Sequence, residues 1–123
     1  MKIEKLPDAE FEIMQIIWNA PTPITTAQVA ERVKGVKDWH LSTVKTLLRR
    51  LAARGYLTGE KHGQELYYTS LVTQDEYIQA ETELFMEKIH KKSLRGFIRA
   101  MYAEAKPSKE DLAEIEKLLQ DKE

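Results

Sequence analysis

Apolar residues return at helical spacing in Phe11, Met14, Ile17 and Trp18, and the run stops at Pro21 and Pro23. With Asp8 as its cap, this predicts a first helix from Ala9 to about Trp18. Thr25-Thr26-Ala27-Gln28 then has the capping-box form, a hydroxyl at the cap and Gln three residues on, ahead of Val29, Ala30 and Val33. A short second helix is expected to end near Gly35. After the turn Lys37-Asp38-Trp39-His40-Leu41, the residues Val44, Leu47, Leu48 and Leu51 fall at i, i+3, i+4 and i+7, the buried stripe of a third helix that stops at Arg54-Gly55.

Beyond that glycine the period changes. Tyr56 to Lys61 and Gln64 to Ser70 are rich in Tyr, Leu and Thr and read as two strands, with His62-Gly63 as the tight turn between them. A lone two-stranded hairpin is marginal in water, so it has to lean on the helices. Tyr67 and Tyr68 point to opposite faces of their strand, one toward the core and one toward the surface.

From Thr73 onward the pattern is helical again. Thr73-x-x-Glu76 is a second capping box, opening a helix with Tyr77, Ala80, Leu84, Phe85 and Ile89. Ser93 starts another, striped by Leu94, Phe97, Ile98, Met101 and Tyr102, and Ser108, after Pro107, caps a last one with Leu112, Ile115, Leu118 and Leu119. Three helices in some fifty residues, each with a narrow apolar stripe, are a poor basis for an independent core, and a second copy of the chain would complete it. Leu84, Ile89, Leu94, Phe97, Ile98, Met101, Leu112, Ile115 and Leu118 are the expected dimer interface. The fold class expected is mainly α with a small β-hairpin wing. Residues 1–72 form a winged helix-turn-helix domain, and residues 73–123 a three-helix dimerisation domain.

Composition narrows the chemistry. The 123 residues include no cysteine, which removes disulfides, thiolate nucleophiles and Cys-ligated metals. The three histidines, at 40, 62 and 90, lie in separate elements without metal-ligand spacing, and there is no glycine-rich phosphate loop and no G-x-S-x-G. The acidic groups Glu81-Thr82-Glu83 and Asp111 to Glu116 read as solvated helix faces. No enzyme activity, cofactor or metal site is expected. The longest uncharged stretch, Ile13 to Ala30, is broken by polar residues and prolines, and the first ten residues lack an apolar signal core, so a cytoplasmic protein without membrane insertion is expected.

Net charge is −1, but it is unevenly placed. Between Lys37 and His62 the cations Lys37, Lys45, Arg49, Arg50, Arg54 and Lys61 face only Asp38 and Glu60, a local excess of +4. That window covers the third helix and the hairpin. The helix order is that of a helix-turn-helix, whose second motif helix lies in the DNA major groove. Thr43, Thr46 and Arg50, with Ser42, Lys45 and Arg49 beside them, offer hydroxyls, methyl groups and cations suited to base edges and phosphates. Lys61 and His62 would meet phosphate from the wing. The competing reading of this helix is the solvated side of an amphipathic one, and Trp39 either packs on a deoxyribose or seals the core.

These residues resemble the penicillinase-repressor family, the BlaI/MecI type of winged-helix repressors that also includes a copper-responsive CopY branch. The resemblance spans nearly the whole chain. It is carried by D8-A-E-F-E-I-M-Q-I-I-W18, K37-D-W39, T43-V-K-T-L-L-R-R-L51, R54-G-Y-L57 and Y67-Y-T-S70. It implies a homodimer that binds double-stranded inverted-repeat operators of the TACA/TGTA kind and blocks transcription, in the best-known members of beta-lactam resistance genes. It carries DNA-contacting roles onto Ser42, Thr43, Lys45, Thr46 and Arg50 and a wing role onto Lys61 and His62, whereas Arg49 stands where the family often has an uncharged residue and would add a phosphate contact.

Three departures bear on mechanism. His40-Leu41 stands where the family has Ser-Pro, so either His40 or Ser42 is the cap position of the third helix. Ala100-Met101 aligns with the Asn-Phe bond cut when a membrane sensor metalloprotease, or a protease downstream of it, inactivates the repressor. The Cys-x-Cys pairs of the copper-responsive branch have no counterpart. Two alternatives stay open: a winged helix used as a protein-interaction module, and a repressor released by a small-molecule ligand.

Overall fold

The computed structural model describes residues 3–120; the outer ends of the two expected domains, residues 1–2 and 121–123, lie outside them. Nine elements follow in the order α1 (Asp8–Trp18), β1 (Ile24–Thr25), α2 (Thr26–Val33), α3 (Leu41–Ala53), β2 (Leu57–His62), β3 (Glu65–Ser70), α4 (Gln74–Lys88), α5 (Leu94–Glu104) and α6 (Lys109–Gln120). Among the described residues no helix is long and apolar enough to cross a membrane. The chain divides between Glu81 and Thr82 into two compact units.

In the first unit, α1, α2 and α3 close around Ile13, Met14, Ile17, Val29, Val33, Val44, Leu48 and Leu51, all nearly inaccessible to water. Apart from Ile13 these are positions that the helical spacing selects, whereas Phe11 and Trp18, which it also selects, are only partly buried. Trp39 packs against this core, half-buried. The α1 cap differs from expectation. Pro7 occupies the cap position and its carbonyl accepts from Phe11 N, while Asp8 is the first helical residue and makes no side-chain cap bond. In the first turn its carboxylate still favours the helix electrostatically, because the N-terminal end of a helix is positive. At α2 the capping box forms in both directions: Gln28 N donates to Thr25 Oγ1 at 3.1 Å, and Thr25 N to Gln28 Oε1 at 2.9 Å.

The hairpin gains a third strand that the spacing does not reveal. The sheet order is β1-β3-β2, antiparallel throughout, with Ile24 opposite Tyr68 and Thr25 opposite Tyr67. Two residues are too few to show an alternation. The turn is also shifted by one position from His62-Gly63. His62 pairs with Glu65, so the two-residue loop is Gly63-Gln64, with Gly63 at φ +66°. A positive φ at the first loop position suits the twist of a hairpin and is accessible to glycine at little cost. Tyr68 is buried and Tyr67 only partly so, as alternation requires.

The first unit reaches beyond residue 72 because Tyr77, in the first turns of α4, belongs to its core. The Thr73 capping box starts α4 as expected, with Glu76 N donating to Thr73 Oγ1 and Thr73 N to Glu76 Oε1. Tyr77 then stacks on Phe11 with ring centroids 5.5 Å apart and lies 5.6 Å from Trp18 and 6.0 Å from Tyr56. Its hydroxyl accepts from Leu6 N at 2.9 Å and donates to Glu81 Oε2 at 3.0 Å. Trp18 Nε1 donates to Val72 O at 2.8 Å, and the Tyr56 hydroxyl to Glu4 O.

Burial pushes the Tyr56 hydroxyl from its ordinary 10 up to about 12, with the Tyr77 hydroxyl and Glu4 adding to it; burial raises Tyr77 too. A phenol whose folded value is raised keeps a proton that the unfolded chain has lost. The stability it contributes is complete below pH 10 and disappears as pH rises to about 12. Urea midpoints measured at pH 8, 10 and 11 should therefore fall across the last step, and Tyr56→Phe should flatten that fall.

In the second unit, Ser93 Oγ caps α5 by accepting from Gly96 N at 2.9 Å, and Ser108 Oγ caps α6 by accepting from Asp111 N at 3.0 Å. Lys91 and Lys92 adopt left-handed φ values of +47° and +66° between α4 and α5. Phe85, His90 and Phe97 meet edge to face at 5.1–6.3 Å. Yet α5 and α6 hold no buried residue. Ile89, Leu94 and Leu118 are 63%, 56% and 64% exposed, and Leu84, Met101, Leu112 and Ile115 are also open to solvent, with only Phe97 and Ile98 partly covered.

Candidate nucleic-acid interface

The third helix begins at Leu41, not after a Ser42 cap. His40 is the cap residue, with extended backbone and no side-chain cap bond, and its carbonyl accepts from Thr43 N and Val44 N at 3.0 and 3.2 Å. Ser42 is thus a first-turn residue with an exposed side chain. The helix forms because Val44, Leu47, Leu48 and Leu51 bury one stripe against α1 and α2, which leaves Ser42, Thr43, Lys45, Arg49 and Arg50 exposed and Thr46 half-buried.

Leu41, Lys45 and Arg49 stand at i, i+4 and i+8, one above the other on the helix. They line a groove of about 480 Å³ whose other walls are the start of α2, from Thr25 to Ala27, and the wing residues Lys61, Gln64, Glu65, Leu66 and Tyr68. The structure therefore brings Lys45 and Arg49 of the helix together with Lys61 of the wing. Thr43, Thr46 and Arg50 do not line this groove.

His62 is separated from Lys61 by strand alternation, since neighbouring side chains leave a strand on opposite faces. It lies on the far side of the wing, bordering a second depression with Pro23, Thr58, Gly59, Glu60, Tyr67 and Thr69. There its Nε2 is 3.1 Å from Glu60 Oε1 and its ring 5.3 Å from that of Tyr67. Of the two expected wing contacts, Lys61 faces the recognition helix and His62 does not.

Arg54 leaves the cationic window. Its Nε donates to Glu10 Oε1 at 2.6 Å, and its Nη1 is 3.5 Å from Glu4 Oε1. The Glu10 side chain is only 3% exposed. The hydrogen bond to Glu10 holds the Arg54 guanidinium above its ordinary value, with the charges of Glu10 and Glu4 adding to it and burial opposing. Arg54 ties α3 to α1 and carries no free charge toward a ligand. Leu41, Leu66 and the start of α2 line the groove although the pattern of cations and hydroxyls on α3 and the wing does not point to them. The i, i+4 relation of Leu41 to Lys45 is the one signal that pointed to any of them.

A helix pair followed by a winged sheet, with cations of the second motif helix and the wing lining one groove, defines a winged helix-turn-helix module of the DNA-binding type. The family model described as penicillinase repressor matches residues 6–121, and the chain belongs to that family. It is 27% identical over 120 residues to the penicillinase repressor of Bacillus licheniformis, covering 98% of this chain and 93% of that protein. With the methicillin resistance regulatory protein MecI of Staphylococcus aureus it shares 25% identity over 121 residues, 98% of each chain. The solution structure of the DNA binding domain of the repressor BlaI matches at a TM-score of 0.55 and 33% identity, over 63% of this chain and 94% of that one. The monomeric form of Bacillus licheniformis BlaI in complex with the blaP half-operator matches at 0.53 and 33%, over 62% and 92%.

Proposed function

We propose that this protein is a homodimeric repressor that binds inverted-repeat operator DNA in the cytoplasm and blocks transcription by occupying the promoter. The observation that carries the reading is the groove in which Lys45, Arg49 and Lys61 converge. That BlaI has been solved in complex with a half-operator supports DNA binding by this chain, and the helix-turn-helix order would set α3 in the major groove with the wing beside it. Ser42, Thr43, Thr46 and Arg50 present hydroxyls and a guanidinium to base edges and backbone. The names of the two relatives support a target among antibiotic-resistance genes.

The uncovered apolar residues of α4, α5 and α6 support dimerisation through the second unit. Two recognition helices held by such a dimer reach half-sites about 34–36 Å apart, one helical turn, or a multiple of it. Release from DNA would follow from any event that loosens this helix set. The Ala100-Met101 bond lies inside α5, so a sensor-linked protease acting there has to open that turn first.

Fluorescence anisotropy tests the reading: a labelled TACA/TGTA inverted repeat and a scrambled duplex of equal length, each titrated at two salt concentrations. A preference for the repeat that persists at higher salt is expected. Equal, salt-sensitive binding to both duplexes would leave only charge attraction, and no binding would favour the protein-interaction alternative. In the same assay Arg49→Ala should weaken binding to both duplexes and reduce the slope of log affinity against log salt by about 1. Thr46→Ala should instead narrow the gap between repeat and scramble, and equal losses on both would end its base-reading role.

A further inference from the structure

We infer that Leu41 reads the 5-methyl group of a thymine, and so sets specificity at one base pair of each half-site; this rests on the DNA-binding reading above. Leu41 is the first residue of α3 and is 50% exposed. A single exposed leucine is ordinary, but its surroundings here are not. It lies at the N-terminal end of the recognition helix, the part of the motif whose residues reach base edges. The same groove sets it among apolar Ala27 and Leu66 and the cations Lys45, Arg49 and Lys61, with Glu65 the one acidic side chain in the lining.

A groove that combines apolar Leu41, Ala27 and Leu66 with three cations suits a ligand that is polyanionic and apolar at one point. In the major groove thymine is the base that presents a methyl group, while the other base edges offer only hydrogen-bonding groups. Lys45 and Arg49, one and two turns along the same face, are placed for phosphates or guanine edges while Leu41 meets the methyl. The side chain has a fixed origin, because the His40 carbonyl anchors the first turn through Thr43 N and Val44 N. It is also outside the buried core, so it can be changed without unfolding the unit.

Single thymine-to-deoxyuridine replacements, made symmetrically in both halves of the TACA/TGTA duplex, remove one methyl group and nothing else. At one thymine per half-site, wild-type affinity should fall about fourfold per half-site, the worth of one buried methyl group, or about fifteenfold for the symmetric pair. Leu41→Ala should bind the thymine and deoxyuridine duplexes equally, and Leu41→Met, which keeps the apolar surface, should restore the difference. Circular dichroism and melting of Leu41→Ala should match wild type. Operator preference with unchanged thymine discrimination in Leu41→Ala would overturn this inference and leave the repressor reading intact. Discrimination lost in Leu66→Ala but kept in Leu41→Ala would also overturn it, by moving the contact to the wing. No preference for the repeat in wild type would remove the repressor reading and this inference with it.

Discussion

Arg54→Ala is expected to destabilise the first unit by about 1.5–3 kcal/mol, the worth of a hydrogen bond to a charged group, since Arg54 is itself 31% exposed and its removal lets water reach Glu10. The Glu10 carboxylate is almost fully enclosed, and Arg54 Nε at 2.6 Å is the hydrogen bond that satisfies it. Against a total of about 5–15 kcal/mol for a natural domain, that loss is a sizeable fraction of the unit's stability. The pair itself need not be worth so much, because replacing both members with apolar residues of similar size is often neutral or favourable. The double variant Glu10→Leu with Arg54→Met should therefore recover most of the stability. Urea titration followed by tryptophan fluorescence reads this unit specifically, since Trp18 and Trp39 both lie in it. An Arg54→Ala midpoint equal to wild type would show that water already satisfies Glu10. DNA affinity measured well below the midpoint should change little, which separates Arg54 from Arg49 and Arg50.

The second large effect concerns the other unit. Leu112→Asp puts a carboxylate into the exposed apolar stripe of α6, where Leu112 is 44% exposed in the single chain. If the stripe is covered by a second copy, that carboxylate is buried without a partner and the dimer dissociates. Sedimentation velocity should then report a monomer. Operator affinity should fall about 10²–10⁴-fold, the gain lost when two linked binding events become independent. Leu112 lies in the first turn of α6, where a carboxylate favours the helix, so helix content should persist. Phe97→Asp is less clean, because Phe97 also packs on Phe85 and His90 within one chain. A Leu112→Asp dimer with unchanged operator affinity would place the interface elsewhere.

Much of this architecture was legible from spacing alone. The stripe of Val44, Leu47, Leu48 and Leu51, the capping boxes at Thr25 and Thr73, and the caps at Ser93 and Ser108 all appear where residue order placed them. Each rests on partners three or four residues apart, a separation at which helix geometry leaves little choice. The lack of a self-sufficient core in the last three helices was readable for the same reason, because stripe width sets how much surface one helix can bury.

Tertiary structure decided what local spacing does not encode. The Glu10–Arg54 pair joins residues 44 apart, Trp18 reaches the Val72 carbonyl across 54, and Tyr77 receives the Leu6 amide across 71. A cation counted toward DNA is thereby turned inward, and the start of α4 becomes part of the first unit. The one-residue shift of the hairpin turn fixes which face of the wing each side chain takes, placing Lys61 in the groove and His62 outside it. Periodicity tells which side of an element avoids water; which partner meets that side depends on how the elements pack, and packing is a property of the whole chain.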